Sequence, residues 1–411
     1  MAPNKKAYIS LFERKISVTF FIDVLIFLYV TSIYIFSFNV EGNIISKLLA
    51  VALMGVLALY AIVDGKIIFN KFSGCFGLFI LFCTISCFWA INTSLAFEKV
   101  TTLLQIFVLT FLLYNYLKKE NKIDFFIHVL CLSGTIFAIY TVLFFGVEAY
   151  FSGLEDGVQM GTEITNVNTI GMATASAATM SLWFVSYRKK YWYIISIVIC
   201  TVVTLGSASR TALIGLVLQF ILLFILKGNS KRKLISLFEC ALVLVALYYV
   251  LQLPVFETIN QRMEGLINNF TGQGRVDHST NVRMGMIEAG LDRFMQTPFT
   301  GVGIGNSGYI ALAHEGYFTY LHNNYVELLA SIGIIGTAIY YCMYFTPLLR
   351  LIKPAFKQNA YAVLGMVSLV GSLIMHYGTV QYYDKIEYIV FILIFLVAEK
   401  ERYVQIDDKK S

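Results

Sequence analysis

The stretch "YLHNNYVELLASIGIIG", Tyr320 to Gly336, places a histidine and two asparagines immediately before a long apolar run. That run, 324–348, is long enough to cross the hydrocarbon core of a membrane as a helix. Polar residues at the threshold of such a helix have two explanations. One is ordinary snorkelling or solvent exposure, and the other is a reaction centre held at the membrane surface. The rest of the sequence has to decide between them.

The composition is that of a membrane protein with many spans. Hydrophobic residues make up 58% of the 411, charged residues only 14%, and the mean hydropathy is +0.72. A soluble domain carries a charged fraction of about 25%. The sequence therefore predicts an all-α polytopic membrane protein with about twelve transmembrane helices. The predicted spans lie at 16–38, 44–62, 72–91, 96–117, 123–146, 167–187, 191–208, 210–227, 234–253, 324–348, 360–378 and 382–398.

The distribution of Lys and Arg agrees with these spans and orients them, because basic residues accumulate in cytoplasmic loops. With both termini in the cytoplasm, about 23 of the 31 basic residues fall on the cytoplasmic side. Membrane topology thereby explains the net charge of +6. The expected surroundings are the lipids of the cell membrane, and nucleic acid is not an expected partner. The basic residues predicted on the opposite side are Lys47, Lys99, Arg210, Arg262, Arg275, Arg283, Arg293 and Lys385.

Three regions follow from this assignment. Residues 1–253 form a transmembrane bundle of nine spans, 254–323 an extracytoplasmic loop, and 324–411 three further spans and a cytoplasmic tail. A loop of that length in a compact bundle indicates a functional element. Inside it, cap-type residues and a later proline predict a helix between Ser279 and Pro298. Its apolar face is predicted to comprise Val282, Met286, Ile287, Leu291, Phe294 and Met295.

Two arginines on the side where basic residues are scarce are the main indication of chemistry. Arg210 lies in the tight turn "LGSASRTALIG" between two spans, and Arg283 lies on the predicted loop helix. Snorkelling toward water explains a single interfacial arginine equally well. Two guanidinium groups together match the oxygens of a diphosphate in forked geometry. They would also stabilise a diphosphate leaving group electrostatically.

His322 is the candidate general base, because an imidazole with a near-neutral pKa can take a proton from an attacking hydroxyl. Asn323 and Asn324 would orient it or hold sugar hydroxyls. Glu327, about one turn later, is the alternative base, although a carboxylate at a helix start can simply complement the helix dipole. Asn168, at the outer end of the sixth predicted span, is a further candidate for sugar contact.

No motif predicts a cofactor. The segment "FTGVGIGNSGY" contains alternating glycines, but a nucleotide-binding glycine loop should follow a strand and open a helix. Close backbone approach or a sharp turn is the better interpretation of these glycines. Because neither CxxC nor HExxH spacing occurs, the sequence gives no argument for a metal site, and we expect neither metal nor cofactor.

Four ordered motifs resemble the O-antigen ligase and Wzy-type polysaccharide polymerase superfamily. They are "SASRTA", "NVRMGMIEAGLDRF" in the long loop, "GVGIGNSGY" and "LHNNYVELLASIGIIG". The resemblance covers about 205–340, with a looser match at "TNVNTIG". It implies a metal-independent, inverting membrane glycosyltransferase of the GT-C kind with a catalytic loop at 254–323. Such enzymes transfer a glycan from undecaprenyl diphosphate to an acceptor hydroxyl at the outer membrane face. By the same resemblance, Arg210 and Arg283 hold the diphosphate and His322 is the base.

The shared motifs leave the acceptor open. A polymerase transfers the growing chain to another lipid-linked repeat unit, and a chain-length regulator is then a candidate partner. A ligase transfers finished glycan to a lipid A core. We favour the polymerase because it is the commoner assignment in capsule and exopolysaccharide clusters. A transporter of lipid-linked oligosaccharide is the alternative of another class, but the spans show no pair of interrupted segments in two halves. A non-catalytic scaffold would carry coiled-coil heptads, which the sequence lacks.

Overall fold

A computed structural model describes most of the chain, namely residues 8–11, 14–36, 43–64, 67–228, 233–271 and 278–407. These residues form sixteen α-helices, preceded by a small antiparallel hairpin of two strands, β1 (Tyr8–Leu11) and β2 (Arg14–Ser17). The hairpin is a local departure from the all-α prediction, while the helical class of the remainder is confirmed.

The helices of the amino-terminal part agree with the first nine predicted spans, with one addition. The addition is α6, which lies in the predicted connection 147–166. The helices are α1 (Val18–Phe36), α2 (Asn43–Asp64), α3 (Lys71–Ser86), α4 (Thr93–Lys119), α5 (Ile123–Phe145), α6 (Val147–Glu155), α7 (Val167–Arg188), α8 (Tyr193–Gly206), α9 (Arg210–Lys227) and α10 (Lys233–Leu251).

The long segment after α10 is folded into further helices before the chain returns to the bundle. It begins with a 3-10 turn, Pro254–Phe256, and α14 then starts at the asparagine pair singled out in the sequence. The helices of this half are α11 (Glu257–Thr271), α12 (His278–Gln296), α13 (Gly308–Glu315), α14 (Asn324–Phe356), α15 (Ala360–Met375) and α16 (Lys385–Asp407).

Within the described residues, seven helices are long and apolar enough to cross a membrane: α1, α2, α4, α5, α9, α10 and α14. Helices α3, α8 and α15 are apolar but shorter, at 14 to 16 residues. Helix α7 is rich in Gly, Ala, Ser and Thr, which lower its hydropathy but allow close packing against α5, α8 and α9. The protein is therefore a membrane protein with several spans, and the count of twelve stays a prediction.

The glycine-rich loop after α12 docks on a break in α14. Gly333 has φ 66° inside that helix, and a Cβ there would lie 2.4 Å from the backbone carbon of Phe299. Gly301 has φ 63°, and its Cβ would lie 2.4 Å from the backbone of Ser331. The N–H of Gly303 donates to the carbonyl of Ser331 at 2.8 Å. The predicted close backbone approach is confirmed, since only glycine fits both contacts.

Helix α12 buries only part of its predicted apolar face. Met286 is buried in a cluster with α13 and the start of α14, and Val282 and Ile287 pack beside it. Leu291 and Met295 are 40% and 74% exposed, so the protein itself leaves this end of the face uncovered. The physical reason is that the cluster contacts the first half of α12, the half that also carries Arg283.

Candidate active site

Arg210 is the first residue of α9 and is fixed by the turn before it. The side chain of Ser209 caps the helix by accepting from the N–H of Ala212 at 3.3 Å. The same hydroxyl donates to Oδ1 of Asn168 at 2.7 Å, which ties the turn to the start of α7. Arg210 is only 8% exposed. The sequence Ser-Arg therefore places a guanidinium in the interior at the end of the bundle where α7 and α9 begin.

The loop helices contact this arginine directly. Nη1 of Arg210 donates to Oγ1 of Thr280 on α12 at 2.8 Å, and it lies 3.5 Å from the carbonyl oxygen of Arg262 on α11. Arg262 in turn donates from Nη1 to the carbonyl of Ala208 at 2.8 Å. Helices α11 and α12 are thus hydrogen-bonded to the turn between α8 and α9. Both helices carry an arginine of their own, Arg262 on α11 and Arg283 on α12.

Arg283 lies one turn after Thr280 on α12, a rise of about 4.5 Å. Burial raises the pKa of Tyr320 and the charge of Arg283 opposes that rise. Burial, and secondly the same charge, lower the pKa of His322, so all three side chains share one electrostatic environment. The rings of Tyr320 and His322 lie 4.2 Å apart between centroids. The structure therefore brings Arg210, Arg283 and His322 to the same end of the bundle, linked through α12.

His322 is held in an unusual state. Its φ is 56°, a left-handed conformation that costs an L-residue about 1–2 kcal/mol. Burial, and secondly the positive charge of Arg283, lower the pKa of His322 from 6.5 to about 4. The imidazole is consequently neutral at pH 7 and free to accept a proton. Its Nδ1 is buried without a hydrogen-bond partner among the described residues. Backbone strain of this kind is typical of functional sites.

Asn323 and Asn324 have roles within the protein. Asn323 caps α14, and its Oδ1 accepts from the N–H of Val326 at 3.1 Å. Asn324 is fully buried; its Oδ1 accepts from the N–H of Gln381 at 2.8 Å, and its Nδ2 donates to the hydroxyl of Tyr341 at 3.2 Å. Both amides therefore fix the start of α14. Their contact with sugar stays a prediction.

Glu327 is likewise engaged by protein donors. It is 2% exposed, Ser307 donates its hydroxyl to Oε1, and the N–H of Leu321 donates to Oε2 at 2.9 Å. Each carboxylate oxygen thus receives a hydrogen bond from the segment 307–321, which contains α13. Because Leu321 directly precedes His322, this carboxylate helps to set the backbone of the histidine. That geometry suits a positioning residue better than a base.

Several residues near the site were not singled out from the sequence. Nδ2 of Asn166 donates to the hydroxyl of Tyr320 at 2.9 Å, which links α7 to the segment before His322. Nζ of Lys99, on α4, lies 3.6 Å from the ring centroid of Tyr383. The charge distribution offered a signal for Lys99, as it did for Arg262, because both are basic residues on the predicted non-cytoplasmic side. Tyr320 and Asn166 carry no such signal.

Residues 195–341 match the family model described as O-antigen ligase. This match supports membership of the O-antigen ligase and Wzy-type polymerase superfamily. The matched segment runs from α8 into α14 and so contains Arg210, Arg283 and His322 together with the glycine loop. The comparison with curated proteins returned no match.

The match and the fold together support a coarse functional statement. The match of residues 195–341 in a membrane protein supports an enzyme of the O-antigen ligase or polymerase type, that is, a glycosyltransferase-like or ligase-type enzyme. Polymerases and ligases share this family model, so the match does not separate them.

Proposed function

We propose that the protein is a polysaccharide repeat-unit polymerase of the cytoplasmic membrane. It transfers a glycan from undecaprenyl diphosphate to a sugar hydroxyl of a second lipid-linked unit at the outer face. The observation that carries this proposal is the convergence of buried Arg210, the Arg283-bearing face of α12 and strained His322 at one end of the bundle. The loop 254–323 then covers the catalytic site, and both termini lie in the cytoplasm.

The proposed reaction is a single displacement. The acceptor oxygen forms a bond to the anomeric carbon of the donor sugar while the bond from that carbon to the diphosphate oxygen breaks. The bonding electrons leave with undecaprenyl diphosphate. Because the acceptor attacks the face opposite the leaving group, the configuration at the anomeric carbon inverts. The acceptor proton goes to the neutral imidazole of His322. The guanidinium groups of Arg210 and Arg283 stabilise the charge that develops on the leaving diphosphate, with donor geometry suited to its oxygens.

The geometry favours His322 over Glu327 as the base. Both oxygens of Glu327 accept hydrogen bonds from the protein, whereas His322 has a buried Nδ1 without a partner among the described residues. The neutral form of the imidazole at pH 7 is the form a base requires. We therefore assign Glu327 to holding the backbone that precedes His322.

The test is reconstitution of purified protein in liposomes with a lipid-diphosphate-linked repeat unit as both donor and acceptor. We expect products of two or more repeat units and release of undecaprenyl diphosphate. Arg210→Ala and Arg283→Ala should abolish both while the proteins insert and elute normally. Long products from either variant would refute the diphosphate clamp. Transfer only to an added lipid A core would identify a ligase, and translocation without transfer would identify a carrier.

A further inference from the structure

A cavity opens beside Tyr320, the neighbour of His322, and runs into the bundle. Its volume is about 450 Å³, within the range of about 300–1,000 Å³ for small-molecule sites. Asn166 and Tyr320, which are hydrogen-bonded to each other, contribute to its lining. Because the ring of Tyr320 contacts that of His322, this part of the cavity is one side chain away from the proposed base.

The cavity extends from Tyr320 far into the helix bundle. Gln219 also lines it, and this residue lies nine positions after Arg210 on α9, a rise of about 13 Å. Gln219 is 2% exposed, so a buried amide stands in the wall well inside the bundle. Glutamine is costly to bury in a membrane unless its polar atoms have partners. A hydrogen-bonding occupant of the cavity would add partners for this amide.

The lining combines apolar surface with a small number of polar groups, which is the usual composition of a small-molecule site. Side chains from α7, α9, α15 and the start of α16 contribute hydroxyl, amide and carboxylate groups. Among the carboxylates, Glu387 is already bonded on both oxygens, to Tyr344 at 2.5 Å and to Ser372 at 3.3 Å. A polyisoprenyl tail could not hydrogen-bond to any of these groups, whereas a sugar presents several donors and acceptors. The hydroxyl-bearing lining residues include Thr169, Ser176, Thr179, Ser368, Ser372 and Thr379.

One wall residue points specifically to a missing donor. Gln381 is 8% exposed and lines the cavity. Its Nε2 lies 3.7 Å from Sδ of Met172, and its Oε1 is buried without a hydrogen-bond partner among the described residues. Its backbone is fixed by Asn324, since the Gln381 N–H donates to that side chain. A rigidly placed acceptor atom with no donor is the recognition element that a sugar hydroxyl would complete.

We propose that this cavity is the acceptor subsite, which binds the terminal hydroxyl-rich sugar of the accepting glycan and presents one of its hydroxyls to His322. The proposal rests on the proposed transferase function. It adds that acceptor specificity is set by Gln381 and by residues of α7, α9 and α15. Gln381 and these three helices lie outside the segment that carries α11 and α12, the loop helices with Arg262 and Arg283.

The first experiment compares Gln381→Leu with wild type in the reconstituted transfer assay, to which a labelled repeat unit without the diphosphate is added. This unit can accept but cannot donate, so transfer to the label is measured while donor and acceptor are varied separately. Leucine keeps the volume and removes the acceptor atom. We expect KM for the accepting unit to rise about tenfold, as for loss of one buried hydrogen bond, while KM for the donor stays unchanged. Ser176→Met, which fills space beside α7, should show the same split. The matched control is Gln261→Leu on α11, an exposed glutamine outside the cavity, which should match wild type. An unchanged acceptor KM in both cavity variants would overturn the proposal and leave a water-filled space.

A second measurement separates this inference from the proposed function. The probe is the repeat-unit oligosaccharide released by mild acid from the lipid-linked pool of cells lacking the protein, labelled at its reducing end. Its binding to purified protein is measured without donor. Binding that weakens about tenfold in Gln381→Leu supports the subsite, whether or not wild type transfers glycan. If wild type binds the oligosaccharide but transfers nothing, only the polymerase proposal fails. Equal binding by both proteins, or none by wild type, overturns the subsite.

Discussion

Lowering the pH tests the electrostatic state of His322 directly. Burial and the charge of Arg283 lower the pKa of this imidazole from 6.5 to about 4. A base with a pKa of 6.5 would be roughly 90% protonated at pH 5.5, and kcat/KM would fall about tenfold from its plateau. With a pKa of about 4, only about 3% is protonated at that pH. We therefore expect kcat/KM for transfer to be nearly unchanged between pH 7.5 and 5.5, with an acid limb near pH 4.

The assay is transfer at subsaturating donor in detergent or liposomes, measured from pH 8 down to the lowest pH at which the protein stays folded. Because the pKa of His322 is lowered, its neutral, proton-accepting form persists to lower pH, and activity should persist with it. Arg283→Gln removes the positive charge near His322 but leaves the imidazole buried. The acid limb of this variant should therefore move part of the way from pH 4 toward pH 6.5. A wild-type limb at 6.5 would refute the assigned environment. The same limb persisting in His322→Gln would assign the titration to another group.

Three further outcomes are expected from the geometry. Arg283→Lys should keep the acid limb of wild type but lower kcat, because an ammonium retains the charge and loses the fork. Glu327→Gln should retain activity within about tenfold, since an amide can accept from the N–H of Leu321 and donate to the hydroxyl of Ser307. His322→Gln, by contrast, should lose about 10²- to 10⁴-fold in activity because it removes the base. Gly333→Ala should lower the thermal unfolding midpoint, since strain there costs about 1–3 kcal/mol before any clash. In Gly55→Ala, the matched control in α2, nothing lies within 4 Å of the new Cβ.

Each of these outcomes has a measurement that contradicts it. Equal kcat for Arg283→Lys and wild type would show that the fork is not used. A loss in Glu327→Gln as large as in His322→Gln would make the carboxylate the base and remove the positioning role. Unfolding of Gly333→Ala and Gly55→Ala at the same temperature, monitored by fluorescence in detergent, would show that the loop does not depend on the break in α14.

Much of the fold was accessible from the sequence because hydrophobic length and charge placement are strong local signals. The helices α1 to α5 and α7 to α10 begin and end close to the predicted spans. The break at Gly333 was not accessible, because it depends on a loop some thirty residues earlier in the chain docking on α14. The exposed end of α12 was not accessible either. An apolar periodic pattern shows that a face is apolar but not how much of it the protein itself covers.

The candidate site was predictable where a residue is anomalous for its position. Arg210 and Arg283 are basic residues on the side where such residues are scarce, and His322 stands beside an apolar run. Tyr320 and Asn166 gave no signal, because tyrosine and asparagine are ordinary at a membrane boundary and their pairing joins segments 154 positions apart. The partners of Asn324 and Glu327 likewise required the structure, which reveals both as fixed within the protein.

The dual role proposed for Arg283 has a kinetic consequence. In the free enzyme its charge weakens His322 as a base by lowering the pKa. When a donor diphosphate lies against the guanidinium, the anionic oxygens offset that charge and raise the pKa of the imidazole toward working pH, where base catalysis is more efficient. The acid limb of kcat, which reports the complex, should therefore lie at higher pH than the limb of kcat/KM, which reports the free enzyme. Coincident limbs would mean that the diphosphate binds elsewhere. In that case Arg283 would affect His322 without contacting the donor, and the clamp would reduce to Arg210 and its neighbours on α11.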